Sequence, residues 1–249
     1  MTAKSPLPVL VLRPLRQRDA FLQCLDKAGI AYSYCPIMRI EAIAEPAAVV
    51  EQIRDNILKF AEFDQAIFIS ANAAEIGIDW LDQYWPMLPA QMQIFAVGQQ
   101  TAEILQDFGC QVLCPQQPNT EGLLNEMREL QEMANKSVII FRGGGGRMTL
   151  GDTLVSRGAD VTYCELYHRL IDTAKLEEAR SLVTRCGGLV AHSGELLKAM
   201  GSAIDDQLPL IVPSERVAAM GRELGYINVQ VAENALPESM ARAVTLALS

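Results

Sequence analysis

The sequence predicts an α/β protein built from two similar five-stranded, parallel, flavodoxin-like sheets. Three observations carry that expectation. Short β-branched runs alternate with amphipathic stretches along the whole chain, as they do where helices cross over between parallel strands. Val138 to Arg169 shows one complete unit: VIIFR, glycines 143–146, an amphipathic segment, Gly158, and an alternating run ending in ELYHR. The chain also repeats itself. VLVLR at Val9–Arg13 matches VIIFR at Val138–Arg142, and the same offset carries Gly29 onto Gly158, Tyr34 onto Tyr163 and Cys35 onto Cys164. Ile94–Gly109 matches Leu210–Gly225, and IFISANA matches LVAHSGE, so each half carries its strands in one order.

The elements follow in turn. Val9–Leu12 reads as a strand, a helix runs from about Arg18 to Ala28 with Gly29 as its stop, and Tyr32–Pro36 is extended. Helical spacing covers Ala47–Phe63. QAIFIS is a strand that leads into a helix through Trp80. Gln93–Gly98 is the next strand, Thr101–Phe108 a helix ended by Gly109, and Gln111–Cys114 a short strand. A polar turn, Pro115–Thr120, precedes a helix over Glu121–Ala134. Beyond the Val138–Arg169 unit come a helix over Ala174–Thr184, strand LVAHS, strand PLIVP, a helix over Ser214–Leu224 and strand Val229–Ala232. Pro237 starts the terminal helix, where its missing N–H costs nothing.

The repeat is compatible with two domain arrangements. Each half can fold separately, or the first two strands can pair with the last three while the middle of the chain forms the other domain.

With 249 residues, half of them hydrophobic, a large core is available. The net charge of -9 argues against tracking nucleic acid, which needs a basic excess. No apolar run approaches the ~20 residues that span a bilayer, and the N-terminus lacks a signal-peptide core. Six cysteines without a CxxC pair, and two histidines without metal-ligand spacing, read as reduced thiols in a cytoplasmic protein with no metal.

In open parallel sheets ligands meet the turns that follow the strands. Here those turns are Arg13–Arg16, Ser70–Asn72, Gly98–Thr101, Arg142–Arg147, His192–Gly194 and Ser214–Arg216, rich in hydroxyls, glycine and arginine. Helix N-termini at such places suit carboxylate or phosphate. Ser70, Asn72, Thr101, Ser193 and Ser214 stand where N-caps stand, and capping alone also explains them. Arg142 and Arg147 bracket the glycines, whose lack of bulk leaves both charges open to a ligand. Nucleotide readings fail: Gly146 is followed by Arg147 and Met148 rather than Lys-Ser/Thr, and Met148 occupies the third dinucleotide glycine. No Gly-x-Ser-x-Gly elbow is present, and His192 beside Ser193 is no triad.

RGGGGRMTLGDTLVSRGADVTYCELYHR resembles the signature region of uroporphyrinogen-III synthases. IFISANA, FAVGQQTAEIL and VPSERVAAMGRELG resemble that family's other turns, in order along nearly the whole chain. Ile69, Ala74 and His192 depart from its usual Thr, Val and Thr. The resemblance implies a cofactor-independent lyase of tetrapyrrole and haem biosynthesis. Such an enzyme removes the terminal hydroxyl of hydroxymethylbilane as water and closes the macrocycle with the last pyrrole inverted. It implies a discontinuous domain, 1–36 with 170–249, a second domain, 40–166, and a hinge at 37–39 and 167–169 beside a substrate cleft. Tyr167 is then the hydrogen-bond donor that helps the hydroxyl leave. Arg13, Ser70, Asn72, Thr101, Arg142, Gly143, Arg147, Ser193, Ser214 and Arg216 are then substrate contacts. A monomer is expected, with substrate handed over by the preceding enzyme. The rival class is a two-lobed protein that binds an anionic small molecule without chemistry.

Overall fold

The computed structural model describes residues 7–14 and 19–248. Leu15–Arg18 lie outside the described residues, and with them Arg16 of the first turn and the expected helix start at Arg18. In chain order the first half comprises β1 (Val9–Leu12), α1 (Ala20–Lys27), β2 (Tyr32–Cys35), β3 (Met38–Ala42), α2 (Ala47–Leu58), β4 (Gln65–Phe68) and α3 (Ala71–Tyr84). Then come β5 (Gln93–Ala96), α4 (Gln99–Asp107), β6 (Val112–Leu113) and α5 (Thr120–Glu126). The unit singled out above is β7 (Ser137–Gly143), α6 (Thr149–Ser156) and β8 (Asp160–Ile171). The rest is α7 (Thr173–Val183), β9 (Gly188–Ala191), α8 (Gly194–Met200), β10 (Leu210–Val212), α9 (Glu215–Glu223), β11 (Val229–Val231) and α10 (Pro237–Ala247).

The chain divides into two compact units, one of residues up to Arg39 together with Leu170 onward, the other Ile40–Arg169. In the first, the strand order is β11-β10-β9-β1-β2, and neighbours run parallel. Its central strands are buried on both faces, which is why they read as unbroken apolar runs. Leu10, Leu12, Leu189, Ala191, Leu210 and Val212 face α7, α8 and α9. Val9, Val11, Val190 and Ile211 face Phe21 and Leu25 of α1 and Met240 and Val244 of α10.

The second unit has the order β3-β8-β7-β4-β5-β6. Ala66, Phe68, Ile94, Ala96, Ile139 and Phe141 pack toward α2, α3 and α4, with Phe68 stacked on Phe141 at 4.5 Å. Ile67, Phe95, Val138 and Ile140 pack toward α5 and α6. Matching strands by the repeat, β2-β1-β9-β10-β11 becomes β8-β7-β4-β5-β6, the same order. Gly29 and Gly158, which follow α1 and α6, both take the left-handed conformation that ends a helix, at φ +67° and +97°.

Among the described residues, three departures of the fold from expectation stand out. The second sheet has six strands rather than five, because Met38–Ala42 adds at its edge beside β8. The helix expected over Glu121–Ala134 stops at Glu126, where Met127 turns extended and a single 3-10 turn follows at Arg128–Leu130. The Gln131 amide donates to the Leu124 and Met127 carbonyls and so closes off that helix end. The helix expected through Phe63 stops at Leu58 and resumes as a 3-10 turn, Phe60–Glu62, that drops Phe60 into the core.

Pairing of β7 with β8 shifts at one point: Arg142 opposes Glu165, but Gly143 opposes Tyr167. Leu166 is the extra residue of a bulge. The consecutive Leu166 and Tyr167 therefore bury in the same core, which regular alternation forbids.

Candidate active site

The bulge sets the position of Tyr167, whose ring lies against Gly143 so closely that a Cβ there would collide with it. Each of the four glycines meets different surroundings. Gly144 donates its N–H to the Tyr167 carbonyl at 2.8 Å and accepts from Arg169 Nη2 at 3.0 Å. A Cβ on Gly144 would press on His168, and one on Gly146 would strike the Arg142 guanidinium. Gly145 alone has open space and a φ of +70°. The turn is a cover laid over side chains, not a phosphate cradle.

Arg142 is only 2% exposed, although glycines were expected to leave it open. Its guanidinium lies beneath the turn. Nε donates to the Gly143 carbonyl at 3.2 Å, and Nη1 points to the Arg147 carbonyl and the Met148 sulfur, each at 3.4 Å. Glu165, with a side chain 44% exposed, is its carboxylate neighbour at 3.7 Å. The guanidinium carbon stands 4.9 Å over the Tyr163 ring, a cation–π contact. Burial pushes the Tyr163 phenol above its usual range, and Arg142 pulls it partly back. Arg147, in contrast, is exposed.

Tyr167 is 2% exposed, and its hydroxyl sits 3.0 Å from Ser70 Oγ. Ser70 caps α3 by accepting the Ala73 N–H at 3.1 Å. Two hydroxyls share one hydrogen bond here, so one O–H proton is left to donate elsewhere.

Of the other expected caps, Ser193 does cap α8, accepting from Leu196 N at 3.3 Å. Asn72 and Thr101 do not cap. Asn72 is the second residue of α3, behind Ser70, and Thr101 is buried in the third position of α4, whose cap is Gly98. Ser214 occupies the cap position of α9, yet its hydroxyl accepts no helix N–H. The two units therefore agree in detail: α3 and α8 are capped by serine side chains, while α4 and α9, also equivalent, are left open at their N-termini. Arg216 is exposed in the first turn of α9. Arg13 pairs with buried Asp19 at 2.8 Å, and Asp19 also caps α1. His192 packs edge-on against Phe21 at 4.6 Å. Among the described residues no cluster of His, Cys, Asp or Glu could hold a metal ion.

A cavity of about 100 Å³ opens within the second unit beside the turn. Arg142, Arg147, Tyr163 and Thr149 give it polar walls, and Ile69, Val97, Ile140 and Leu150 give it apolar ones. Sequence reasoning had not singled out Tyr163 or Thr149 as cavity residues. The one signal for Tyr163 was its repeat partner Tyr34, whose hydroxyl donates to the Pro14 carbonyl much as Tyr163 donates to that of Met148.

Fold and site together define a class: two mostly parallel α/β sheets that share a five-strand order, whose strand-end turns carry hydroxyls and arginines and lack a nucleotide loop. The model of the family described as uroporphyrinogen-III synthase HemD matches residues 19–242. The chain is 33% identical over 252 residues to the uroporphyrinogen-III synthase of Escherichia coli K12, covering 96% of this chain and 100% of that one. It is 32% identical to the Salmonella typhimurium enzyme of that name, again covering 96% and 100%. The chain belongs to the uroporphyrinogen-III synthase family. Its fold is similar to a crystal structure of a variant uroporphyrinogen III synthase from Thermus thermophilus, with TM-score 0.64, 19% identity and coverage of 97% and 98%. It is also similar to the Helicobacter pylori uroporphyrinogen-III synthetase, with TM-score 0.62, 16% identity and coverage of 98% and 100%.

Proposed function

We propose that the chain converts hydroxymethylbilane, a flexible linear tetrapyrrole rich in carboxylates, to uroporphyrinogen III. The terminal hydroxyl leaves as water, and the macrocycle closes with the last pyrrole inverted. Membership of the family carries this reading. Pyrrole nitrogens supply the electron push, so the chain's own work is to hold a polyanion in a near-attack shape and to donate to the departing hydroxyl. Tyr167 is the proposed donor. Ser70 supports that role, because it can orient the phenol from 3.0 Å while staying anchored at the N-terminus of α3.

Carboxylate contacts are assigned to the strand-end turns. Arg147 and Arg216, both exposed, and Ser214, free of any capping bond, are the best placed, with the open end of α4 near Gly98 and Thr101. Asn72, Gly143 and Ser193 are assigned to the same turns. Arg13 is the weakest contact, because Asp19 already meets its charge. The domains are read as 1–36 with 170–249, and 40–166, connected through 37–39 and 167–169; the division of contacts at Arg39 and Arg169 supports this. The protein is read as a cytoplasmic monomer supplied by the preceding enzyme; its six free thiols suit a reducing compartment. Among the described residues no helix is long and apolar enough to cross a membrane.

The test is to supply hydroxymethylbilane and separate the isomers formed. Spontaneous closure gives the type I isomer, so excess type III supports the proposal. Type I alone, with the tetrapyrrole still bound, would establish the non-catalytic binding protein instead.

A further inference from the structure

The internal repeat allows one unit to be read as a chemical control for the other. Arg13 and Arg142 are repeat partners, each at the end of the first strand of its βαβ unit. In the first unit Arg13 meets the Asp19 carboxylate, which is almost wholly buried, at 2.8 Å. The same carboxylate accepts the N–H groups of Phe21 and Leu22 at the start of α1. One anion therefore neutralises the arginine and caps the helix.

The offset that carries Arg13 onto Arg142 carries Asp19 onto Met148. Met148 is the residue before α6, and its side chain caps nothing. Its sulfur lies 3.4 Å from Arg142 Nη1. The second unit thus keeps the buried arginine and the helix start but has a neutral thioether in place of the carboxylate. Glu165 is no substitute, since it stands on the Nε edge at 3.7 Å and is half exposed. A guanidinium buried to 2% without a close carboxylate is costly unless something else supplies the charge. The cavity lies beside it, with aliphatic walls at Ile69, Val97 and Leu150 and with exposed Arg147 as a second cation. Glu121, also on the wall, is exposed and screened by water.

We propose that this cavity receives one short alkyl-carboxylate arm, whose carboxylate pairs with Arg142 and Arg147 in the role that Asp19 plays for Arg13. At about 100 Å³ it has room for such an arm and not for a macrocycle. The identification of that arm as an acetate or propionate side chain of the tetrapyrrole rests on the function proposed above.

Met148→Asp tests this directly, because an aspartate oxygen sits as many bonds from Cα as the methionine sulfur and would supply the missing anion internally. Met148→Asn keeps the shape without the charge. Propionate is the probe for binding, and raised thermal stability is its readout, independent of turnover. The expected result is that millimolar propionate raises the melting temperature of the wild type and of Met148→Asn, and leaves Met148→Asp unmoved. With hydroxymethylbilane, KM should rise about tenfold or more in Met148→Asp relative to Met148→Asn, since a charge-assisted pair is displaced. Equal propionate shifts in both variants, or equal KM values, would overturn the subsite. A wild type that forms no type III product but still responds to propionate, with the response lost in Met148→Asp, would overturn the function and leave the carboxylate site standing. Arg147→Gln, at an exposed position that does not threaten folding, should halve or further reduce the propionate shift, and an unchanged shift would remove Arg147 from the site.

Discussion

The Tyr167 hydroxyl stands 3.0 Å from Ser70 Oγ, and Ser70 is held in turn by the first turn of α3. The phenol is thus oriented from its oxygen end by a helix cap and from its ring by Gly143. If Tyr167 donates to the leaving hydroxyl, Tyr167→Phe should cut kcat by about tenfold or more while KM stays within about twofold, the pattern for a contact made in the transition state. Steady-state kinetics on hydroxymethylbilane check it. Equal kcat for Phe and Tyr would remove the residue from the mechanism.

Ser70→Ala should behave differently. It removes a cap worth about 1 kcal/mol and releases the phenol, so stability and kcat fall together. Urea unfolding beside kinetics separates the two effects, and loss of neither would mean that the hydroxyl pair is incidental.

The glycine turn makes a contrast between neighbours. Gly143→Ala pushes a methyl into the Tyr167 ring and should cost about 1–3 kcal/mol, as overpacking does. Gly145→Ala meets nothing within 4 Å but forces a left-handed backbone at φ +70°, for about 1 kcal/mol. Thermal unfolding should rank Gly143→Ala as the more damaging, and its kcat should fall as well because the phenol is displaced. The reverse ranking would refute the packing argument.

Those glycines also mark how far the sequence could be read. Central strands such as Val9–Leu12 and Val138–Phe141 are buried on both faces, so their composition announces them. Ser70 and Ser193 declared their helices because capping has a side-chain signature. β3 did not, since only Met38 of MRIEA is buried and its pairing partner lies more than a hundred residues away. Gly98 caps α4 without a side chain, which drew attention to Thr101 instead. Alignment of IFISANA with LVAHSGE set Ser70 against His192, whereas the structure makes Ser70 and Ser193 equivalent. The burial of Arg142 leaves no mark in the sequence, because its acceptors are carbonyls of a folded-back turn, which no residue type records. The bulge at Leu166, on which the placing of Tyr167 depends, is a register property of two strands and is invisible in either one.

The pair of Arg13 and Asp19 should matter to stability more than any surface bridge. Asp19→Ala removes a helix cap and leaves a largely buried guanidinium without its carboxylate, for about 3 kcal/mol in total. Asp19→Asn retains a capping oxygen and should lose less. Chemical denaturation of both variants checks the order, and a cost under 1 kcal/mol for Asp19→Ala would show the pair to be solvated.

Cys164 supplies a pH dependence whose sign is set by burial. The residue is 1% exposed, and burial pushes its pKa from 9.0 up to about 12, with a hydrogen bond to Asn56 acting the other way. The folded state therefore holds the proton through a range in which the unfolded chain releases it. Stability from this group is complete below pH 9 and is lost as pH rises toward 12, at most about 1.4 kcal/mol per pH unit. By pH 10.5 the loss relative to pH 8 should reach about 2 kcal/mol. Tyrosines and lysines titrate nearby, so the measurement is a difference: urea unfolding of the wild type and of Cys164→Ala at pH 8, 9.5 and 10.5. The variant begins less stable, because a buried side chain has been shortened, but its deficit should shrink as pH rises. Parallel curves across that range would mean that Cys164 ionises as readily in the folded protein as in the unfolded chain.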